Sequence, residues 1–374
     1  MAEEQEKKVR LMSLDILRGF DMFFIMGGEL LVVALCTVFG CADSFVARNM
    51  EHVAWTGLHF YDTVFPLFLF LAGVSWPFSL ASQQKRGRTA WQIHRKILTR
   101  MILLFLIGIA YNCATFWRFG PEFRIPSVLG HIGIGWGVAA LVFMHVKKGW
   151  ARFAIGASVP LAYWAVCLVW GAHIGADPYT QADNVFWHLD RLVMPTHVWM
   201  KGKGDPETLF VALGGVPLAM MGMFAGETLR RGIEPLRKVF TLVMAGVGAF
   251  LLGLVFLYVF RIPCIKALWT GSFVCFAGTY AFFVMALFYW IVDIRGWRKW
   301  GFFFQMIGLN SITIYLAQSV IDFGKLREIC FGGLIRPLAY WSADWGTVAN
   351  HAGFIAVCWL FLYLLHRNRI YLKV

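Results

Sequence analysis

Two histidines and an aspartate lie close together in the stretch EHVAWTGLHFYDTVFP, residues 51–66. His52, Trp55, His59, Asp62 and Pro66 follow one another at intervals of three or four residues, which would place them on one stripe of a helix that began early enough. An imidazole titrates near neutral pH and can take a proton from an amine or a hydroxyl. The pattern makes His52 a candidate general base with Asp62 deeper in the same segment, whereas interfacial packing explains His59 equally well.

Four charged residues lie in the preceding apolar segment, SLDILRGFDMFFIMGGELL. At about 100° per residue, Asp15, Arg18, Asp21 and Glu29 share a wedge of roughly 120°. Charges within a membrane normally face the bundle interior or a water-filled cavity. Asp15, Arg18 and Asp21 can also form a ladder of neutralising pairs. Glu29 lies about 16 Å deeper by helix rise and has no nearby cation in its own segment, which favours a role in a cavity.

Other polar residues that could contact a ligand are fewer and more scattered. Arg124 and His131 flank the start of a later apolar run in RIPSVLGHIGIGW. A long connection carries charged residues that a solvated loop would also explain, namely Arg191, Lys201, Lys203, Asp205 and Glu207. Four polar residues recur at helical spacing near the C-terminus, namely Asn310, Ser311, Tyr315 and Gln318. For these four, hydrogen bonding between helices is as good an explanation as ligand contact.

The elements that position these residues follow from composition. The chain has 374 residues, of which 59% are hydrophobic and only 15% charged, with a mean hydropathy of +0.64. A soluble domain is about half apolar and about a quarter charged, and disordered chains are poor in aromatics, whereas 17% of this chain is aromatic. Because a spanning helix needs about 20 apolar residues, we expect an all-α polytopic bundle of about ten spans, forming one domain over residues 1–374.

The distribution of basic residues predicts the orientation of this bundle. The ten apolar runs are 14–39, 58–80, 97–113, 128–146, 153–171, 208–228, 239–260, 270–292, 302–321 and 346–366. Alternate connections carry 22 and 11 Lys or Arg, with both termini in the richer set. The bias places both termini in the cytoplasm and His52 outside. The net charge of +13 therefore reflects topology rather than nucleic-acid binding.

The eight cysteines and the histidines show no metal-ligand spacing, so no metal is expected. Four cysteines lie inside apolar runs and are expected to be small core residues, namely Cys36, Cys167, Cys275 and Cys358. The other four lie near loop ends, where disulfides can form, namely Cys41, Cys113, Cys264 and Cys330.

The segments SLDILRGF, EHVAWTGLHFYDTVFPLFLFLAGVS and RIPSVLGHIG together resemble the heparan-α-glucosaminide N-acetyltransferase family and its bacterial relatives. Later segments agree in the same order, namely LDRL, DPETLF, IPCIKALWTGSF, FYWIVDIRGW, GLNSITIYLAQ and NRIYLKV. The resemblance runs nearly end to end but does not include the large luminal N-terminal region of the lysosomal enzyme. It implies that acetyl-CoA from the cytoplasm acetylates an amino sugar or oligosaccharide across the bilayer.

The resemblance also assigns residues to roles. His52 matches the histidine of the family's H-x-x-W-x-G motif, as general base or acyl carrier, and either Asp62 or Glu29 would orient it. The residues expected at the CoA site are Arg18, Arg95, Arg100, Asn310 and Ser311. The residues expected at the acceptor site are Trp55, His59, Arg124, His131, Lys266 and Trp269. Glu29, His131 and Gln318 depart from the family pattern, which leaves the acceptor and the choice between amine and hydroxyl open.

The same resemblance implies a bacterial cytoplasmic membrane protein that forms a homodimer. A competing class is a sugar or sugar-lipid exporter without acyl chemistry, since buried charges suit a transport path equally well. The chain shows no internal repeat, although many secondary transporters are built from repeats. Release of free CoA would distinguish an acetyltransferase from an exporter.

Overall fold

The computed structural model describes residues 11–116, 123–199 and 204–372. The N-terminal residues 1–10 and the last two residues, which enter the topology prediction, lie outside this range. Lys201 and Lys203 of the long connection lie outside it as well.

The described chain is helical. The α-helices are α1 (Met12–Phe23), α2 (Glu29–Val38), α3 (Phe45–Asn49), α4 (Val64–Lys85), α5 (Ala90–Phe116), α6 (Val128–His145), α7 (Gly149–Ile174), α8 (Val185–Val193), α9 (Leu209–Leu213), α10 (Val216–Arg230), α11 (Pro235–Leu254), α12 (Gly271–Phe288), α13 (Phe302–Leu309), α14 (Ser311–Val320), α15 (Phe323–Trp341) and α16 (Ala343–Arg367). Short 3₁₀ turns cover Phe60–Thr63 and Lys266–Leu268, and π-helical turns extend three helices at Phe24–Gly28, Val255–Val259 and Tyr289–Ile294.

Nine helical stretches within the described residues are long and apolar enough to cross a membrane, which confirms the all-α polytopic prediction. They are Met12–Val38, Phe60–Lys85, Ala90–Ala114, Val128–His145, Gly149–Ile174, Leu209–Arg230, Pro235–Val259, Gly271–Ile294 and Ala343–Arg367. The expected run 302–321 is instead two short helices, because Asn310 adopts a non-helical conformation between them. The Asn310 side chain donates a hydrogen bond to the backbone oxygen of Ile370, 3.2 Å away.

The first span changes direction between α1 and α2. Gly27, in the π-helical turn, has φ +110°, which glycine adopts readily and other residues do not. The break lies two residues before Glu29, whose side chain interacts with that of Tyr61. The turn therefore directs Glu29 towards the segment that carries the candidate histidine.

The centre of the bundle is formed by α4, α10 and α12. Two glycines allow α4 and α10 to approach each other closely. A Cβ atom on Gly222 would lie 2.0 Å from the backbone oxygen of Phe70, and one on Gly73 would lie 2.3 Å from that of Ala219. Small residues at helix contacts are typical of membrane bundles, where backbones pack directly on one another.

We expect Gly222→Ala to destabilise the fold by about 1–3 kcal/mol, since the added methyl group meets rigid backbone. Gly248→Ala is a matched control, because a Cβ atom there meets nothing within 4 Å and alanine favours helix. Thermal unfolding in detergent should show a lower midpoint for Gly222→Ala only. Equal midpoints for the two variants would contradict the close packing of α4 on α10.

Candidate active site

His52 lies in the loop between α3 and the 3₁₀ turn Phe60–Thr63. Its Nδ1 is 2.7 Å from Oδ1 of Asp62, which is 1% exposed, while the His52 side chain is 55% exposed. The other oxygen of Asp62 accepts hydrogen bonds from the backbone N–H groups of Val53 and His59, at 3.2 and 3.1 Å. The buried carboxylate therefore holds both the loop and the imidazole ring. With a proton on Nδ1 shared with Asp62, Nε2 is left as the basic nitrogen.

Residues 52–59 do not join a helical stripe, because helix begins only at Phe60, close to the start at residue 58 that the apolar run predicts. Contacts with distant segments hold residues 52–59 in a folded loop instead. The backbone N–H of Gly57 donates to the oxygen of Cys264 at 2.8 Å, and the indole N–H of Trp55 donates to the backbone oxygen of Tyr179 at 2.8 Å. The loop brings His52 to Asp62 by folding back on it. His59 turns its ring to the backbone oxygen of Glu51, 2.9 Å away.

Lys266 joins this pair from the 3₁₀ turn Lys266–Leu268. Its Nζ is 3.1 Å from Nδ1 of His52 and 3.3 Å from Oδ1 of Asp62, and its side chain is 22% exposed. Burial lowers the pKa of Lys266, and Asp62 opposes that shift. Because Nδ1 carries either a proton or a lone pair, it cannot donate to Asp62 and accept from Lys266 at once. The sequence placed Lys266 at the acceptor site, and the structure places it against the histidine and its carboxylate.

Glu29 is the other acid that the sequence assigned to this site. It reaches the histidine through Tyr61, whose ring centre is 4.7 Å from that of His52. One carboxylate oxygen of Glu29 is buried and has no hydrogen-bond partner among the described residues. Asp62 therefore contacts the imidazole directly, whereas the side chain of Tyr61 lies between Glu29 and the imidazole.

A second charged cluster joins Arg124 to Asp205 and Glu207. Two guanidinium nitrogens of Arg124 lie 2.7 and 2.6 Å from the carboxylate of Asp205, which is fully buried, and the Arg124 fork also contacts Glu207. Burial raises the pKa of Glu207 to about 7, although Arg124 opposes the shift. Glu207 is close enough to Lys266 and Tyr315 to interact with both electrostatically.

The sequence therefore missed the burial of Asp205 and the partial burial of Glu207, because both were explained as residues of a solvated loop. Their position directly before an apolar helix, in the segment DPETLF, was the available signal. Arg124, expected to bind the acceptor, is held by both of these acids.

His131 and Trp269 pack on one another below the loop. Their ring centres are 4.4 Å apart, and Phe65 packs against both rings, at 5.1 Å from His131 and 5.4 Å from Trp269. Both side chains are about 1% exposed, and neither ring nitrogen of His131 has a hydrogen-bond partner in the described part of the chain. Trp269 has φ 47°, a conformation that bulky residues rarely adopt. The two residues thus form a packed aromatic support, with Trp55 and His59 above it in the loop.

A partly open cavity of about 280 Å³ is lined by residues of α1, α4, α5, α6, α13 and α14. Its lining includes four of the five residues expected at the CoA site, namely Arg18, Arg100, Asn310 and Ser311. Arg95 is exposed on α5 outside the lining. The α4 residues of the lining extend from Ala72 to Phe65, three residues after Asp62. The lining therefore joins two guanidinium groups to Phe65, the residue that packs against His131 and Trp269.

The two arginines of the cavity are held differently. Arg18 contacts the hydroxyl of Ser75 and lies 3.9 Å from Asp15. Arg100 packs with its guanidinium carbon 4.3 Å from the ring centre of Trp136, and its Nε is buried without a hydrogen-bond partner among the described residues. A buried guanidinium with donors still available is suited to an anionic or strongly polar ligand.

Comparison with known proteins gives two relatives. Mouse heparan-alpha-glucosaminide N-acetyltransferase is 24% identical over 86% of this chain and 56% of its own length. The human protein of the same name is 24% identical over 73% of this chain and 49% of its own length. The chain thus spans about half the length of the curated relatives it matches, and no family model matches it. At the level of the family, the chain is related to heparan-alpha-glucosaminide N-acetyltransferase.

Proposed function

We propose that this chain is a membrane-embedded acetyltransferase that moves an acetyl group from cytoplasmic acetyl-CoA to an amino sugar on the outer side. The observation that carries the proposal is a cavity whose lining includes Arg18 and Arg100 and reaches Phe65, three residues after the Asp62 that holds His52. A donor can then enter from one end of the bundle and an acceptor from the other. The curated relatives, named as N-acetyltransferases, support the same chemistry.

The cavity is suited to part of the donor. Pockets for whole small ligands measure roughly 300–1,000 Å³, so about 280 Å³ suits the pantetheine arm and the thioester better than the complete coenzyme. The nucleotide would remain at the cytoplasmic mouth, where Arg95 and its basic neighbours at the start of α5 attract phosphate. Asn310 and Ser311, at the break between α13 and α14, offer polar groups to the amides of the arm.

In the proposed reaction, Nε2 of His52 removes a proton from the acceptor amine as its nitrogen attacks the thioester carbonyl. The new C–N bond forms, the C–S bond breaks, and CoA leaves as a thiol after receiving a proton. Asp62 orients the ring and stabilises its positive form, as the carboxylate of a catalytic triad does. An alternative that the same geometry supports is acetyl transfer to His52 first and to the acceptor afterwards.

The acidic groups near the site suit a positively charged acceptor. Glu29, behind Tyr61, and Glu207, between Lys266 and Tyr315, would attract the ammonium group of an amino sugar. Trp55 and His59 would contact the sugar ring from the loop. The chain is proposed to lie in a bacterial cytoplasmic membrane, to form a homodimer and to be a single domain over residues 1–374.

Lys266 acts in this account by setting the charge around His52. The titratable groups that contact the imidazole within the described chain are Asp62, Lys266 and Tyr61. A cation beside Asp62 opposes a second positive charge on the ring. Lys266→Met removes that cation, so the acid limb of the kcat/KM profile should move to higher pH.

The pH profile of Lys266→Arg is the control, since it keeps the charge and should keep the acid limb in place. If Lys266→Met leaves the limb unchanged and raises only the KM of the acceptor, Lys266 is a substrate contact, as the sequence predicted, and its effect on His52 is refuted.

Purified protein incubated with acetyl-CoA and a panel of amino sugars tests the proposed function. We expect release of free CoA that depends on an amino sugar and matches the acetylated product in amount. An exporter would bind or move the sugar and release no CoA, and that result would replace the acetyltransferase with the competing class.

A further inference from the structure

The end of α2 brings two cysteines together through its backbone. The N–H of Cys41 donates to the oxygen of Cys36 at 2.8 Å, and the N–H of Gly40 donates to the oxygen of Thr37 at 3.0 Å. Gly40 has φ +67°, the left-handed conformation that ends many helices. This pair of bonds is the Schellman motif, in which the side chains at the positions of Cys36 and Cys41 contact each other.

We propose that Cys36 and Cys41 form a disulfide bond on the outer side of the membrane. Both are free thiols in the structure, and the two thiol groups interact. Cys36 is 8% exposed, while Cys41 is exposed and accessible to an oxidant. The sequence treated Cys36 as a core residue and Cys41 as a loop cysteine, and the helix end places them side by side.

The pairing depends on the outward orientation of this segment, and so it rests on the topology of the proposed function. Disulfides persist in oxidising compartments outside the cytoplasm. Two S–H bonds break and one S–S bond forms, with the two protons going to solvent. The two electrons reduce the disulfide of a thiol oxidoreductase, which is the class of oxidant required.

The bond would fasten the connection between α2 and α3, which precedes the loop that carries His52. Ser44, whose hydroxyl accepts from the N–H of Ala47 at the start of α3, lies with its oxygen 4.0 Å from the sulfur of Cys36. Phe39, between the two cysteines, packs against Trp345 of α16 with ring centres 6.4 Å apart. Because the closed loop is short, we expect a small gain in stability rather than a condition for folding.

One tryptic peptide tests the proposal. Cleavage after Arg18 and Arg48 gives residues 19–48, which contain Cys36 and Cys41 and no other cysteine. The full-length protein is treated with N-ethylmaleimide as the membranes are isolated, and then digested. We expect a peptide without label and with a mass lower by two hydrogen atoms, which takes two labels only after reduction. In Cys41→Ser, the remaining Cys36 should take one label without reduction.

Two labels on the wild-type peptide before reduction would overturn the proposal, and so would a bond from either cysteine to another peptide. Labelling of Cys41 by a membrane-impermeant maleimide in Cys36→Ser cells reports the side of the membrane. If this loop is outside but the pair is reduced, the disulfide is refuted and the acetyltransferase stands. If the loop is inside, the disulfide and the sidedness of the reaction both fail.

Discussion

Replacement of His52 by alanine should lower acetyl-CoA-dependent turnover by at least about 10²-fold, the lower range for losing acid–base catalysis. The imidazole is an exposed basic group, and the buried carboxylate of Asp62 holds it at 2.7 Å. Steady-state CoA release at saturating substrates measures the loss. Since the His52 side chain is 55% exposed, the variant should keep its thermal midpoint and its affinity for acetyl-CoA.

His173→Ala is a matched control, since His173 is an exposed histidine at the end of α7, outside the His52 cluster. It should retain normal turnover. Asp62→Asn should also lower turnover, as His52→Ala does.

Incubation with radiolabelled acetyl-CoA alone distinguishes direct transfer from a route through acetyl-histidine. Label kept on the wild type and lost in His52→Ala indicates an acetyl-histidine, and its absence indicates direct transfer. Near-normal turnover of a folded His52→Ala protein would remove the histidine from the mechanism.

Replacement of Arg100 by methionine should weaken acetyl-CoA binding by about 10- to 100-fold. Arg100 lines the cavity with an unpartnered Nε, and a hydrogen bond to a charged group contributes about 1.5–3 kcal/mol. Methionine keeps an apolar stem against Trp136, so packing should change little. Equilibrium binding of acetyl-CoA measures the affinity, and the KM of the amino sugar should stay within a few-fold.

Arg95→Met is the comparison for this prediction. Arg95 is five residues earlier on the same helix and is exposed outside the cavity. Arg95→Met should therefore weaken acetyl-CoA binding less than Arg100→Met does, and its effect on affinity should shrink as salt is added. The reverse order, a large loss with Arg95→Met and none with Arg100→Met, would place the coenzyme at the surface of the bundle and contradict its entry into the cavity.

The architecture was largely predictable because apolar length is a strong signal. Asn310 shows the limit of that signal, since a single polar residue divides an apolar run of normal length without changing its hydropathy. Its hydrogen bond to Ile370, 60 residues away in the chain, is what accommodates the break. Local sequence carries no information about such a partner.

The candidate site was predictable in its residue types and less so in its geometry. Four of the residues assigned to the CoA site line one cavity, Arg18 and Arg100 from α1 and α5 and Asn310 and Ser311 from the break between α13 and α14. The intervals from His52 to Pro66 would also suit a helix, whereas distant backbone groups at Cys264 and Tyr179 hold residues 52–59 in a folded loop. The burial of Asp205 and Glu207 depends on Arg124, about 80 residues earlier, and no local pattern shows it.

In the proposed reaction, donor and acceptor meet through the bundle from opposite sides, at His52. Proteoliposomes sealed around acetyl-CoA, with amino sugars supplied only outside, test this arrangement. We expect acetylated sugar outside, an equal amount of free CoA inside, and neither product with His52→Ala. Acetylated sugar that forms only when donor and acceptor share a side, or sugar that crosses the membrane without release of CoA, would refute transfer across the bundle.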